Sequence, residues 1–288
     1  FYLSIYPNNL LFTALLIGIK SIPFVGSNYL FLLIINCILV NASGIIASLT
    51  VRNLKQNNKL ALMIYIVMCP LIILSPWIVI PYTDTFGILF PVLVTYFYTK
   101  QVKRNVDYFL IGFFSIFGFY IKPTIIIVLM AIIITEVFSE LHNFTNREKL
   151  KKKKIGYLKT IAMVILGILL SFTINKSTSY ILKFKPVNEI KKFTFIHYLA
   201  MGQNDKTLGA YSQDDVDDSI KNGKIYDLKK FKDRVMARSV NEQIEFYSKK
   251  TLLNFNDGSF SWGLDGVFFY KKLNVQSKFS EVLRSVYY

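Results

Sequence analysis

Residues 100–154 read KQVKRNVDYFLIGFFSIFGFYIKPTIIIVLMAIIITEVFSELHNFTNREKLKKKK. Two apolar runs, Val106–Ile121 and Thr124–Leu141, meet at Lys122-Pro123, and basic residues bracket the pair on both sides. As one long helix, the stretch would hold Lys122 near its middle. It would also send Lys151–Lys154 to the face opposite Lys100, Lys103 and Arg104, against the tendency of basic loops to share one side of a membrane. Proline at 123 further disfavours helical backbone at the residue before it. The spacing therefore predicts two membrane helices joined by a tight turn at Lys122-Pro123, with both basic loops on the cytoplasmic side.

The same alternation extends outward. A crossing helix needs about 20 apolar residues. The candidate spans are residues 29–51, 60–80, 85–99, 106–121, 124–141 and 157–181. Arg52, Lys55 and Lys59 form a further basic loop, which leaves Pro81–Asp84 and Lys122-Pro123 on the outer side. Residues 9–24 are apolar but short and carry Lys20. They either cross or form a half-span with both ends outside, and parity alone does not choose. Trp77, Tyr82, Tyr120 and Tyr180 on one side, and Tyr96, Tyr98 and Tyr157 on the other, fit aromatic belts.

Hydrophobic residues make up 53% of the 288, a composition that points to a polytopic membrane protein and not a soluble one. Within residues 1–182 the basic residues gather in short loops between apolar runs, so the net charge of +16 is not the footprint of a nucleic-acid binder. Cys37 and Cys69 both fall in apolar runs, which argues against a disulfide framework, and two histidines exclude histidine-rich metal chemistry. The chain opens on Phe1 without a charged leader, as an internal segment of something longer would.

Past residue 182 the character changes. Residues 183–288 hold 13 of the 18 acids, and they read as a mixed, mainly α lobe on the outer face. Phe231, Val235, Val240, Ile244 and Tyr247 recur at helical spacing and predict one amphipathic helix over Leu228–Lys250. Asp257-Gly258 and Asp265-Gly266 mark turns. Asp214–Asp218 reads as a solvated acidic loop, with calcium a minor alternative because the spacing is not that of an EF-hand. The fold class is thus all-α and polytopic, with residues 1–182 as the transmembrane domain and residues 183–288 as the lobe.

Five acids fall in residues 1–182, and four of them, Asp107, Glu136, Glu140 and Glu148, lie at the cytoplasmic ends of spans. Asp84 alone faces the outside, in Pro81-Tyr82-Thr83-Asp84-Thr85. Two readings stand side by side: a helix cap, or an acid that binds a cation, a proton or a sugar hydroxyl. Lys122 reads either as a snorkelling lysine or as a contact to a lipid phosphate. In the lobe, His197-Tyr198, Tyr211, Asp257 and Trp262 combine polar and aromatic side chains, the materials of a sugar site or of a lobe resting on headgroups.

The order of these features resembles the GT-C class of integral-membrane glycosyltransferases. It is most similar to the protein O-mannosyltransferase and aminoarabinose-transferase group, in its Gram-positive bacterial, exosortase-associated branch. Tyr6-Pro7-Asn8-Asn9, Ser75-Pro76 with Pro81–Asp84, Ile121-Lys122-Pro123-Thr124, and Met201-Gly202 with Gly209–Tyr211 and Asn256–Trp262 carry the resemblance. It implies a polyprenyl-phosphate sugar donor, a glycan, lipid or protein acceptor, contact with membrane lipid and no nucleic acid. It further implies that residues 9–24 are a half-span, that Asp84 positions the acceptor or a divalent metal, and that Lys122 meets phosphate. Tyr82, His197, Tyr211, Asp257 and Trp262 become substrate contacts. The class carries its main acid in a loop after a first span that does not precede Tyr6, so the chain is expected to be a fragment, inactive alone. A lipid-linked sugar transporter is the rival, but acids or arginines at mid-depth are absent from the spans. A non-catalytic scaffold is the other.

Overall fold

A computed structural model of the chain describes residues 2–23, 29–73, 76–143, 150–184 and 193–255. The described residues form helices and no strand. In chain order these are α1 Tyr2–Ile5, α2 Leu10–Lys20, α3 Tyr29–Lys55, α4 Asn58–Met68, α5 Thr83–Gly87, α6 Leu89–Thr99, α7 Asn105–Ile121, α8 Ile126–Asn143, α9 Leu150–Ile181, α10 Phe195–Met201, α11 Gln213–Met236 and α12 Val240–Phe255. They fall into two compact units: residues 8–184, a helical bundle, and residues 1–7 with 185–288. Residues 2–7 group with the second of these units.

In the bundle, Tyr29–Lys55 and Leu158–Ile181 are each long and apolar enough to cross a bilayer, and Asn58–Ile73, Asn105–Ile121 and Pro123–Ser139 are shorter apolar helices. The 27 residues of α3 reach about 40 Å at 1.5 Å per residue, beyond a hydrocarbon core of about 30 Å. Lys122 is extended (φ −143°, ψ 114°), and a 3-10 turn over Pro123–Ile125 starts the next helix, so α7 and α8 form a hairpin there.

Residues 60–80 are not one uniform helix. α4 passes into a π-turn over Cys69–Ile73, and a 3-10 turn covers Pro76–Val79. Proline lacks the N–H that would continue the ladder, so the backbone here needs partners from elsewhere. Asn36, fully buried on α3, donates its Nδ2 to the Ile78 carbonyl at 2.6 Å. Asn36→Leu is expected to cost about 1–3 kcal/mol, because that carbonyl loses its donor away from water. A melting temperature in detergent checks it, and an unchanged value would show that the bond is idle.

Contacts sort the bundle into two ends. At one, the Tyr29 hydroxyl donates to the Val79 carbonyl at 3.0 Å, and Asp84 pairs with Lys122. At the other, the Gln101 amide donates to the Asn53 carbonyl at 2.8 Å, and Lys100 pairs with Asp107 at 2.7 Å. The core follows the same division. Leu11 and Phe12 of α2 pack with Phe86 and Ile121 near the first end, while Val94, Ile111 and Leu129 fill the half nearer the second. α2 is 11 residues long, about 16 Å, and packs in the Asp84 half.

α7 and α9 run side by side with their backbones almost touching. A Cβ built on Gly112 would lie 2.1 Å from the Val164 carbonyl oxygen, and one on Gly167 would lie 2.1 Å from that of Phe109. The Ser171 hydroxyl closes the seam by donating to the Phe113 carbonyl at 2.7 Å. Close approach through small residues and a hydroxyl is how membrane helices associate without a hydrophobic driving force between them.

In the other unit, the Phe193 N–H donates to the Ile5 carbonyl at 3.1 Å, and Ile5, Phe193 and Val216 share a small core. The helix expected over Leu228–Lys250 is two helices, broken between Met236 and Val240. The break is a reciprocal cap: Glu242 accepts the Ser239 N–H at 2.7 Å, and the Ser239 hydroxyl accepts the Glu242 N–H at 3.4 Å. The acidic stretch Asp214–Asp218 is likewise not a solvated loop. It forms the first turn of α11, capped by Ser212, whose hydroxyl accepts the Asp215 N–H at 3.3 Å. Gly223 interrupts α11 with φ 73°, a conformation disfavoured for any residue with a Cβ.

Candidate functional site

Asp84 stands in the first turn of α5, where a carboxylate complements the helix dipole. It does not cap the helix. The Thr85 hydroxyl does that by accepting the Tyr82 N–H at 3.2 Å. The Asp84 side chain is therefore available elsewhere, and it accepts a hydrogen bond from the Lys122 ammonium. The extended backbone before Pro123 presents Lys122 at the α7–α8 turn. Gly87 packs against that turn: a Cβ there would lie 3.3 Å from Ile125 Cδ1 and, in ordinary contact, 3.7 Å from Lys122 Cβ. The side chains of Asp84 and Lys122 are 55% and 35% exposed. A pair this open contributes only about 0.2–1 kcal/mol, so a competing ligand can separate it at little cost.

Asp84 and Lys122, considered separately in the sequence, thus form one ion pair, with Tyr82 half exposed two residues before the acid. No carboxylate, histidine or cysteine cluster able to hold a metal ion is found among the described residues. A cation at Asp84 would also have to displace Lys122.

The remaining candidates belong to the other unit. His197 is 1% exposed and lies flat against Phe193, ring centroids 3.9 Å apart. Its Nδ1 is 2.6 Å from the Ser219 hydroxyl, which in turn donates to Asp227. Because the carboxylate takes the serine proton, the histidine must donate through Nδ1. Burial holds the imidazole below the ordinary histidine range, against the opposing pull of Asp227 and Asp215. Enclosed in this way, His197 has no open face for a sugar. Tyr211 is 62% exposed, and its hydroxyl donates to Gln213 Oε1 at 2.6 Å. Asp257 and Trp262 lie outside the described residues, as does Ser75.

A second polar centre was missed in the sequence. Asp215, 4% exposed, accepts two bonds from Arg234 at 2.8 and 3.0 Å, one from Asn204 at 2.9 Å, and pairs with Lys230 at 2.6 Å. Burial alone would raise its pKa, but the Arg234 and Lys230 bonds prevail and hold the carboxyl far below its usual range. The signal was present as Ser212-Gln213-Asp214-Asp215, a capping sequence, with arginine 19 residues further on. Arg238 clasps the adjoining loop, donating to the Gln203 carbonyl at 2.6 Å while stacking 3.8 Å from the Phe246 ring centroid. The centre holds α10, α11 and their connection together, and Arg234, Lys230 and Arg238 are all engaged in it.

A family described as "conserved hypothetical integral membrane protein" matches residues 1–288. The chain belongs to that family. Its members are integral membrane proteins by description, which agrees with the apolar helices of the bundle. No curated protein and no solved structure matches the chain.

Proposed function

We propose that this integral membrane protein is a glycosyltransferase, moving a sugar from a polyprenyl phosphate to a glycan, lipid or protein acceptor at the outer membrane face. The observation supporting this reading is the Asp84–Lys122 pair, set at the bundle end opposite the basic turns. The resemblance of Pro81–Asp84 and Ile121–Thr124 to GT-C enzymes points the same way.

The pair suits the chemistry. An incoming donor phosphate competes with Asp84 for the Lys122 ammonium, and the fixed positive charge then stabilises the departing lipid phosphate. Asp84, released, accepts a hydrogen bond from the acceptor hydroxyl and orients it. Proton removal falls to a carboxylate outside this pair, in keeping with the class's acid in an earlier loop.

Lys122→Gln is expected to lose binding of a labelled polyprenyl-phosphate sugar. Asp84→Asn is expected to keep that binding while transfer falls about 10²-fold. Normal transfer by both variants at normal expression would remove the pair from the site. Uptake of the donor into vesicles without transfer would instead identify a transporter.

A further inference from the structure

The bundle end opposite Asp84 has features that the glycosyl-transfer reading does not use. There the Gln101–Asn53 bond joins the end of α3 to the α6–α7 turn. Around it Arg52, Lys55, Lys59 and Arg104 are exposed, and Lys103 lies 5.3 Å from the Tyr98 ring centroid. The nearby carboxylate, Asp107, is already committed. It is 1% exposed and accepts from Lys100 Nζ and from the Arg104 N–H, each at 2.7 Å. Glu136 interacts with the Tyr98 side chain. Among the described residues, Arg52, Lys55, Lys59 and Arg104 have no ion-pair partner. The Asn53 side-chain Nδ2 is buried there without an acceptor.

Two apolar side chains project among these cations, Leu54 at 56% and Val102 at 82% exposure. One turn beyond Lys59 begins the outward apolar face of α4, with Leu62, Met63 and Ile66 each more than half exposed. Any anion held at this end therefore borders hydrocarbon. An acidic protein or a nucleic acid would meet the cations but leave Leu54 and Val102 in water. A phospholipid satisfies both, with phosphate at the cations and acyl chain along α4.

We propose that Arg52, Lys55, Lys59, Lys103 and Arg104 form a collar that binds anionic phospholipid headgroups. The attraction is electrostatic, and it weakens as salt shortens the screening length. This inference is independent of the glycosyl-transfer reading.

The test places the full chain in phosphatidylcholine nanodiscs carrying a minor fraction of spin-labelled phosphatidylglycerol or, in parallel, spin-labelled phosphatidylcholine. The anionic probe is expected to associate about fivefold more strongly at about 50 mM salt, with the advantage nearly gone at about 0.5 M. R52Q/K55Q/K59Q/R104Q is expected to lose most of the preference. Because that variant can insert differently, a second measurement keeps the charges: Val102→p-benzoylphenylalanine should photocapture phosphatidylglycerol ahead of phosphatidylcholine. Equal association of the two lipids at low salt, an undiminished preference in the quadruple variant, or indiscriminate capture at 102 would each overturn the proposal.

Discussion

Gly167→Leu is expected to prevent the bundle from packing. The atoms that a side chain there would meet are backbone, the Phe109 carbonyl oxygen at 2.1 Å and the Phe113 nitrogen at 2.6 Å, so no rotamer change relieves the clash. α7 and α9 would have to part, losing the Ser171–Phe113 bond and the packing along the seam. Overpacking in a dense core costs about 1–3 kcal/mol and occasionally more, and the broken interhelical bond adds about 0.6 kcal/mol. Gly18 is the control, since nothing lies within 4 Å of a Cβ built there. Gly18→Leu is expected to stay within about 0.5 kcal/mol of the parent. Unfolding in mixed micelles, read by circular dichroism, separates the two. Equal stability of both variants would show that the seam is not tight.

The second large effect lies in the other unit. Asp215→Ala removes the one carboxylate shared by Arg234 and Lys230, and Asn204 loses an acceptor as well. Removing one partner of a buried pair costs up to about 3–5 kcal/mol, and here the charge left without a carboxylate is Arg234, since Lys230 keeps Asp218 at 2.6 Å. In limited trypsin digestion of the chain, cutting within residues 193–255 is expected to be faster than in the parent, while cutting at the exposed turns of the bundle stays unchanged. An unchanged rate within residues 193–255 would reduce the centre to a surface pair. The acid dependence has a fixed sign. The folded carboxyl titrates below its unfolded value near 4, so its contribution is present above that pH and disappears as pH falls through the depressed folded value.

Some of this architecture could be read from residues alone. The hairpin at Lys122-Pro123 follows from two local facts, a proline and a charge, and so do the ends at which basic turns gather. The partnership of Asp84 with Lys122 was not legible, because 38 residues separate them and no local rule pairs helices α5 and α7. The lobe misled for a different reason. Apolar residues keep a helical period straight through the break at Ala237–Ser239, and only the capping pair Ser239 and Glu242 marks the stop. Counting acids in Asp214–Asp218 likewise suggests solvation, yet whether an acid is solvated depends on partners, and Arg234 lies on the next segment of α11, past the bend at Gly223.

The α7–α9 seam also bears on how the chain is made. Ser171 and its partner Phe113 are 58 positions apart. At about 5–20 residues per second, the ribosome takes roughly 3–12 s to deliver the second helix after the first. For that interval the glycine face of α7 has no mate. A newborn α7 must therefore wait, shielded at the translocon or beside a membrane chaperone, until α9 arrives.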